Sequence, residues 1–580
     1  MRKLVPFLVG ALALGFAVST QTSAQDVEAL AGLPIRGNDT VAKKHMVAAA
    51  NPLAAEAGRE ILREGGSAVD AAIATQMVLT LVEPESSGIG GGAFMLLWDP
   101  KTKTVTSFNG RETAPASATP GMFLDASGKP RPKNEVIPGG LSVGVPGVVA
   151  MLELAHKKYG KLPWAKLFDP AIRLATNGFA LKSKLANAIA GPGISSEPDL
   201  KNYFYKADGT PYREGEILKN PELADTLRKI AAGGAKAFYS GDIAQAIVDK
   251  VQHEPAPLNQ GGMTLADLAA YKAEELKPVC GGYRVYKICS MGLPSSGGIS
   301  VIQILGELER FPSSDLQPNT LSAIHLFSQA TRLAYADRAK YLGDAAFVEV
   351  PVAGLLDSGY LAQRSALIDP AKDMGTATAG TPPMKRTDYA PDIEEKGHGT
   401  SHLSVVDDNG MVISMTTTVE SSLGAKIMAR GFILNNQLTD FSFEPERDGQ
   451  KVANAPAPGK RPLSSMSPTI VFDQAGNFRY AVGSIGGTSI ILHVSEALLA
   501  LIDGHLTAQQ AAALPHHGNQ NGATSLEAGT PLAALAPQLT AMGHNVRVMP
   551  MESGQHIIEK VDGGYRGGAD PRRDGVALGD

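Results

Sequence analysis

Gly397-His398-Gly399-Thr400-Ser401-His402-Leu403-Ser404-Val405-Val406-Asp407-Asp408-Asn409-Gly410-Met411-Val412-Ile413-Ser414-Met415-Thr416-Thr417-Thr418-Val419 is the stretch on which the fold turns. Residues 402–406 read as a strand, 407–410 as a hairpin turn and 411–419 as the return strand. Asn409-Gly410 is the strongest signal, because both residues accept the positive φ of a tight hairpin turn. Upstream, 374–399 is rich in Gly, Thr, Pro and charge with little periodicity, which predicts an exposed, mobile segment. A loop thus ends in Gly399, and a strand opens with a hydroxyl residue. If the Gly399–Thr400 bond were broken, Thr400 would become a new N-terminus. Its α-amine, with a reference pKa of about 7.7–8.0, could then act as base for its own hydroxyl. Gly-Thr before a strand is common, so the residues alone leave this open. Ser401 and His402 cannot pair directly, because adjacent strand residues point to opposite faces.

Working outward, strand pairs alternate with helical blocks. Residues 469–472 and 479–482 form another hairpin around Gly476. Asn51 caps a helix over 52–64, a second helix covers 68–82, and 146–178 is mostly helical. Another helix spans 321–341, and helices return at about 493–503 and 507–513. This mixture predicts a layered α+β chain. Gly88-Ile89-Gly90-Gly91-Gly92 enters an apolar strand over 93–98. It lacks the Lys-Ser/Thr of a phosphate loop, and it precedes a strand where a dinucleotide fingerprint follows one. Close backbone packing is therefore the better reading. Cys280 and Cys289 flank a predicted hairpin centred near Arg284, which would set them opposite each other. An oxidising compartment would favour a disulfide between them.

Arg2 and Lys3, the apolar run over 5–18 and Thr22-Ser23-Ala24 have the pattern of an export leader. Residues 1–24 are expected to be removed near Ala24, leaving a periplasmic or secreted protein. The run is too short for a comfortable membrane span, and no later stretch approaches one, so no stable span is expected. The leader carries two positive charges and no acid, so its loss takes the formal charge from −5 to −7. That balance argues against a nucleic-acid partner. With 43% hydrophobic and 19% charged residues, the chain is neither disordered nor a coiled coil. His398 and His402 stand four apart, but on a loop leading into a strand and not on a helix. No zinc-spaced cluster or EF-hand pattern occurs, so neither metal nor organic cofactor is expected.

Further segments occur in order: Ser87-Gly88-Ile89-Gly90-Gly91-Gly92-Ala93-Phe94, Gly110-Arg111-Glu112-Thr113-Ala114-Pro115, Pro294-Ser295-Ser296-Gly297-Gly298, Thr400-Ser401-His402-Leu403-Ser404-Val405-Val406-Asp407, Leu434-Asn435-Asn436-Gln437, Asp440-Phe441-Ser442, Arg461-Pro462-Leu463-Ser464-Ser465-Met466-Ser467-Pro468, Gly486-Gly487 and Asp570-Pro571-Arg572. With them, from about residue 35 to the C-terminus, the chain resembles the γ-glutamyltransferases, also called γ-glutamyltranspeptidases or glutathione hydrolases. The resemblance implies an N-terminal-nucleophile hydrolase fold, a four-layer αββα sandwich with two β-sheets between helical layers. It implies a proenzyme that cuts itself at Gly399–Thr400. The products would be a large chain, 25–399, and a small catalytic chain, 400–580, interlocked as a heterodimer.

The resemblance also implies roles. Thr400 would be the nucleophile and Thr418 its hydrogen-bonded helper. The N–H groups of Gly486 and Gly487 would hold the oxyanion. Arg111 would clamp the substrate α-carboxylate, with Ser464 and Ser465 donating to it. Asp440 would bind the α-ammonium, with Gln437 nearby. There are two departures. Glu420 stands where some members carry Asn, and the stretch between Asp440 and Arg461 is short and lacks a tyrosine-bearing lid, implying a more open site. The implied activity is cleavage of the γ-glutamyl amide of glutathione and related compounds, with transfer to water, an amino acid or a peptide. Two alternatives stand beside it: a glutaryl-type amidase or β-lactam acylase on the same scaffold, and a non-catalytic exported binding protein.

Overall fold

Where strands are covered on both faces, their sequences run apolar without alternation. Residues 93–98 do so, and their side chains divide between two cores: Ala93, Met95 and Leu97 enter one, Phe94, Leu96 and Trp98 the other. The computed structural model describes Met1 and residues 39–253, 259–383, 388–392 and 399–580. The leader, its cleavage point and His398 lie outside the described residues.

Fourteen strands build two sheets: β1 (Thr40–Ala42), β2 (Met46–Ala49), β3 (Gly92–Asp99), β4 (Thr104–Gly110), β5 (Glu274–Leu276), β6 (Val279–Tyr283), β7 (Tyr286–Ser290), β8 (Gly399–Val406), β9 (Val412–Glu420), β10 (Thr469–Phe472), β11 (Phe478–Val482), β12 (His556–Val561), β13 (Gly564–Ala569) and β14 (Val576–Gly579). The first sheet has the order β14-β2-β8-β9-β3-β4-β5 and the second β1-β13-β12-β11-β10-β7-β6. Each sheet draws strands from both ends of the sequence, which is why Ile35–Asp580 forms one unit.

The sheets stack face to face, with Trp98 of one against Phe472 of the other at 4.7 Å between ring centres. Helices Pro52–Arg63, Ala68–Val82 and Val148–Tyr159 cover the outer face of the first sheet. Helices Gly297–Leu308 and Ile490–Ile502 cover the second. The result is an α+β sandwich of four layers. Ala68–Val82 is buried along its whole length and is held at its start by a Ser67–Asp70 capping box. Asn51 Oδ1 caps Pro52–Arg63 by accepting from Leu53 N at 3.0 Å.

Two expectations need adjustment. The segment over 374–399 is not uniformly exposed: Tyr389, Ala390 and Asp392 are buried, and Asp392 N donates to Ala339 O at 2.8 Å. A turn-rich composition does not report such long-range contacts. The strand expected over 402–406 starts at Gly399, because pairing with β9 continues to the junction. Cys280 and Cys289 are cross-strand neighbours on β6 and β7 with sulfurs 2.09 Å apart. Among the described residues, no helix is long and apolar enough to cross a membrane.

Candidate active site

Thr400 stands opposite Thr418, but Gly399 stands opposite Glu420, so Val419 is the extra residue of a β-bulge. Glu420 takes φ +81°, a left-handed conformation that strains a non-glycine residue. In that position its N–H donates to Thr418 Oγ1 at 2.8 Å. Thr418 Oγ1 donates to the Gly399 carbonyl at 2.5 Å and accepts from Thr400 Oγ1 at 3.3 Å. The Thr418 hydroxyl therefore sits on the carbonyl that Thr400 would attack. A Cβ on residue 399 would lie 2.6 Å from Ser421 O and 2.7 Å from Glu420 O, so glycine is required there. Behind Thr418, a Cβ at Gly91 would lie 2.0 Å from Thr418 O, and the glycine-rich turn is indeed a place of close backbone packing.

Thr400, Thr418 and Glu420 open onto a cavity of about 300 Å³ that Arg111, Gln437, Asp440, Ser464, Ser465 and Gly487 also line. Gly486 adjoins Gly487 just outside that lining, and both have positive φ, +126° and +57°. No described residue accepts a hydrogen bond from either N–H. Gly487 thus brings an N–H without a described acceptor to the lining that Thr400 shares.

Arg111 is 1% exposed, not a surface residue. Its Nη2 donates to Asp440 Oδ2 at 2.5 Å and Leu463 O at 3.2 Å, and its Nε donates to Pro462 O at 3.1 Å. Gln437 Nε2 donates to the same Asp440 oxygen at 2.6 Å. Desolvating an ion pair is costly unless the partners meet closely and share further hydrogen bonds, as they do here. Burial works against ionisation of Glu420. Lys133 at 3.1 Å, Ser421 and Asn436 outweigh it and hold the carboxyl below its ordinary range. The cavity thus presents one guanidinium and two carboxylates, a set that suits a ligand carrying a carboxylate and an ammonium.

Ser464 and Ser465 rest on the 294–298 motif. Ser296 Oγ donates to Ser464 O at 2.6 Å, and Ser295 Oγ donates to Met466 O at 2.6 Å. Arg338 ties the two segments together. Its Nη2 donates to Ser465 Oγ and its Nε to Ser296 Oγ, both at 2.9 Å. Sequence reading misses Arg338, one of several charges on helix Leu321–Tyr341, because no local pattern marks which of them turns inward. It also misses the state of Glu112. That carboxyl lies 3.8 Å from Arg111 with no hydrogen-bond partner on either oxygen among the described residues, and burial pushes it up to about 8. Gly140-Leu141-Ser142-Val143-Gly144 spells a nucleophile elbow, but Ser142 is fully buried and donates to the carbonyls of Ile137 and Gly139. Among the described residues, no group of three or more His, Cys, Asp or Glu could hold a metal ion.

Comparison with known proteins agrees with this geometry. The γ-glutamyltranspeptidase family model matches residues 54–580. The glutathione hydrolase proenzyme of Bacillus subtilis strain 168 is 39% identical over 553 residues, covering 93% of this chain and 92% of that protein. The acylase ACY 1 proenzyme of Pseudomonas sp. strain SE83 is 34% identical over 546 residues, covering 92% and 93%. The crystal structure of cephalosporin acylase from Bacillus halodurans superposes with a TM-score of 0.81 at 28% identity, covering 95% of this chain and 98% of that one. With a family match over nearly the whole chain and these residues gathered in one cavity, the chain belongs to the γ-glutamyltranspeptidase family.

Proposed function

We propose that this chain is a γ-glutamyl hydrolase and transferase, exported after loss of residues 1–24 and made as a precursor that cuts itself at Gly399–Thr400. The observation that carries the reading is the pair of threonine hydroxyls at the Gly399 carbonyl, in one cavity with the Arg111–Asp440 pair. In self-cleavage, Thr400 Oγ attacks the Gly399 carbonyl carbon while Thr418 donates to its oxygen. The peptide C–N bond breaks as the new ester forms, and the nitrogen takes up a proton to become the Thr400 α-amine. Water then hydrolyses the ester. The products are a large chain, 25–399, and a small chain, 400–580, which stay together because each sheet contains strands of both.

In turnover, the substrate α-carboxylate meets Arg111 and the Ser464 and Ser465 hydroxyls, and its α-ammonium meets Asp440, Gln437 and Glu420. The neutral Thr400 amine takes the hydroxyl proton as Oγ attacks the γ-carbonyl carbon. Gly486 and Gly487 N–H groups stabilise the oxyanion. The proton passes to the leaving nitrogen, which departs as an amine and leaves a γ-glutamyl-Thr400 ester. Water or an amino-acid or peptide amine then takes the acyl group. Glutathione fits as donor, with cysteinylglycine as leaving group.

The acylase relatives give a second reading, in which the acyl group is glutaryl. A glutaryl chain has the carboxylate but no ammonium, so it would forgo the hydrogen bonds that an ammonium donates to Asp440 and Glu420. Rates on γ-glutamyl and glutaryl anilides separate the two. A lost charged hydrogen bond predicts a γ-glutamyl preference of about 10–100-fold in kcat/KM. The precursor step is tested by intact mass of wild type and Thr400→Ala. Two wild-type chains, the smaller starting at Thr400, and an uncut variant are expected. A wild type that remains one chain and hydrolyses neither anilide would favour the non-catalytic binding protein.

A further inference from the structure

Arg573 follows the Asp570-Pro571-Arg572 motif directly, and its side chain is 3% exposed. Nη1 donates to the carbonyl of Thr400 at 3.0 Å. Nη2 donates to Ser86 Oγ at 2.9 Å and to Glu83 Oε2 at 3.2 Å. The same Glu83 oxygen accepts from the Ser401 hydroxyl at 2.9 Å. Gly554 leaves room for the arginine, since a Cβ there would lie 2.9 Å from Arg573 Cδ. Three segments therefore meet at the junction: the C-terminal tail, the 83–86 turn after helix Ala68–Val82, and Thr400 and Ser401 of β8. Burial pushes both Glu83 and the neighbouring Glu85 up, Glu85 to about 8, and Glu83 is the one that accepts from both Arg573 and Ser401.

Building on the self-cleavage reading, we infer that Arg573 is a positioning residue for the nucleophile, holding Thr400 by its own carbonyl so that the freed terminus stays on β8 with its hydroxyl beside Thr418. Before cleavage, peptide bonds hold Thr400 on both sides. After it, one covalent neighbour remains, and a terminal residue costs about 1–2 kcal/mol to hold in one backbone well. Fixing the carbonyl keeps the Thr400 Cα on β8, so the amine and side chain turn about a single bond beside Thr418. A guanidinium suits the task because its rigid fork serves three acceptors at once, which a lysine ammonium on a flexible stem does less well. Arg573 does not line the substrate cavity. It therefore acts on rate and leaves substrate affinity alone. Glu83 and Ser86 belong to the large chain, so the same contacts keep the two products in register around the new terminus.

The test compares wild type, Arg573→Met and Arg573→Lys as full chains. Cleavage is followed by intact mass, kcat and KM are measured on γ-glutamyl-p-nitroanilide per cleaved molecule, and thermal unfolding checks the fold. For Arg573→Met, slower cleavage and a kcat about 10–100-fold lower are expected, the value of a charged hydrogen bond, with KM within about twofold. Arg573→Lys should recover part of the kcat. Wild-type kcat in Arg573→Met, or a rise in KM with kcat unchanged, overturns the inference. If Arg573→Met does not fold, the lysine variant decides. A kcat between about 3- and 30-fold below wild type with unchanged KM supports positioning, and a wild-type kcat refutes it. A wild type that neither cleaves nor hydrolyses the anilide would sink the self-cleavage reading and this inference together. A wild type that does both while Arg573→Met matches it sinks the inference alone.

Discussion

The hairpins β8–β9 and β10–β11 occupy corresponding central places in the two sheets, and both are almost completely buried. Their contents differ. β10–β11 buries Ile470, Val471, Phe472, Ala481 and Val482. β8–β9 buries Thr400, Ser401, His402, Ser404, Ser414, Thr416, Thr417, Thr418 and Glu420 among its apolar residues. Most of these polar groups have a specific partner: Ser401 donates to Glu83, Ser404 to His556 O, Ser414 to Val482 O, and His402 Nδ1 meets Thr416 Oγ1 at 2.9 Å. Burial holds His402 well below its ordinary value, so it stays neutral. One hairpin is held by packing. The other is held by hydrogen bonds as well as packing, and what it gains is a hydroxyl aimed at one carbonyl.

The largest test of that contrast is pH. Glu112 packs against Gly92 of β3, beside the polar hairpin. The folded chain keeps its proton up to about pH 8, whereas the unfolded chain releases it near 4.5. Stability from this group is intact below about pH 4.5 and is lost as pH rises toward 8, by roughly 4 kcal/mol at the top of the window. Thermal unfolding of the uncut Thr400→Ala chain against pH should therefore slope more steeply downward than the same chain with Glu112→Gln. Parallel slopes would remove the neutral carboxyl. Glu85 titrates in the same window and cancels in the difference.

Next in size, Thr418→Val should lower self-cleavage by about 10²–10³, the value of one oxyanion donor, and cost about 1 kcal/mol of stability because it leaves the Glu420 N–H without its acceptor. Equal cleavage would show the hydroxyl to be structural only. Ile470→Ala should do the reverse. A fully buried isoleucine costs about 2–5 kcal/mol on truncation, seen as a lower midpoint, while kcat/KM of folded protein holds. A loss of kcat without a loss of stability would erase the division of labour between the hairpins. The smallest effect belongs to the edge of the second sheet. Cys280 and Cys289 are 9 positions apart, and replacing both by serine should cost about 2–3 kcal/mol through the unfolded chain, leaving activity as it was.

Much of this was legible in the sequence. Asn409-Gly410 places the hairpin, Asn51 and Ser67 start their helices, and the glycine run before Ala93 packs backbone on backbone. Of the expected catalytic and substrate-binding residues, all but Gly486 line one cavity, and Gly486 adjoins it. The start of β8 was misjudged, because a bulge rather than a residue preference carries pairing to Gly399. Arg338, Glu112 and Arg573 were not legible as partners of the site. Each is an ordinary charged residue in its own neighbourhood of sequence.

What the sequence determined by itself was local and periodic: strands, turns, caps and an ordered set of motifs. These depend on backbone conformation within a few residues, and composition reports that directly. Only the tertiary structure decided which charges meet. Arg111 reaches Asp440 across 329 positions and Arg573 reaches Thr400 across 173. A buried charge takes its meaning from the group that neutralises it, and chain spacing holds no record of who that neighbour is.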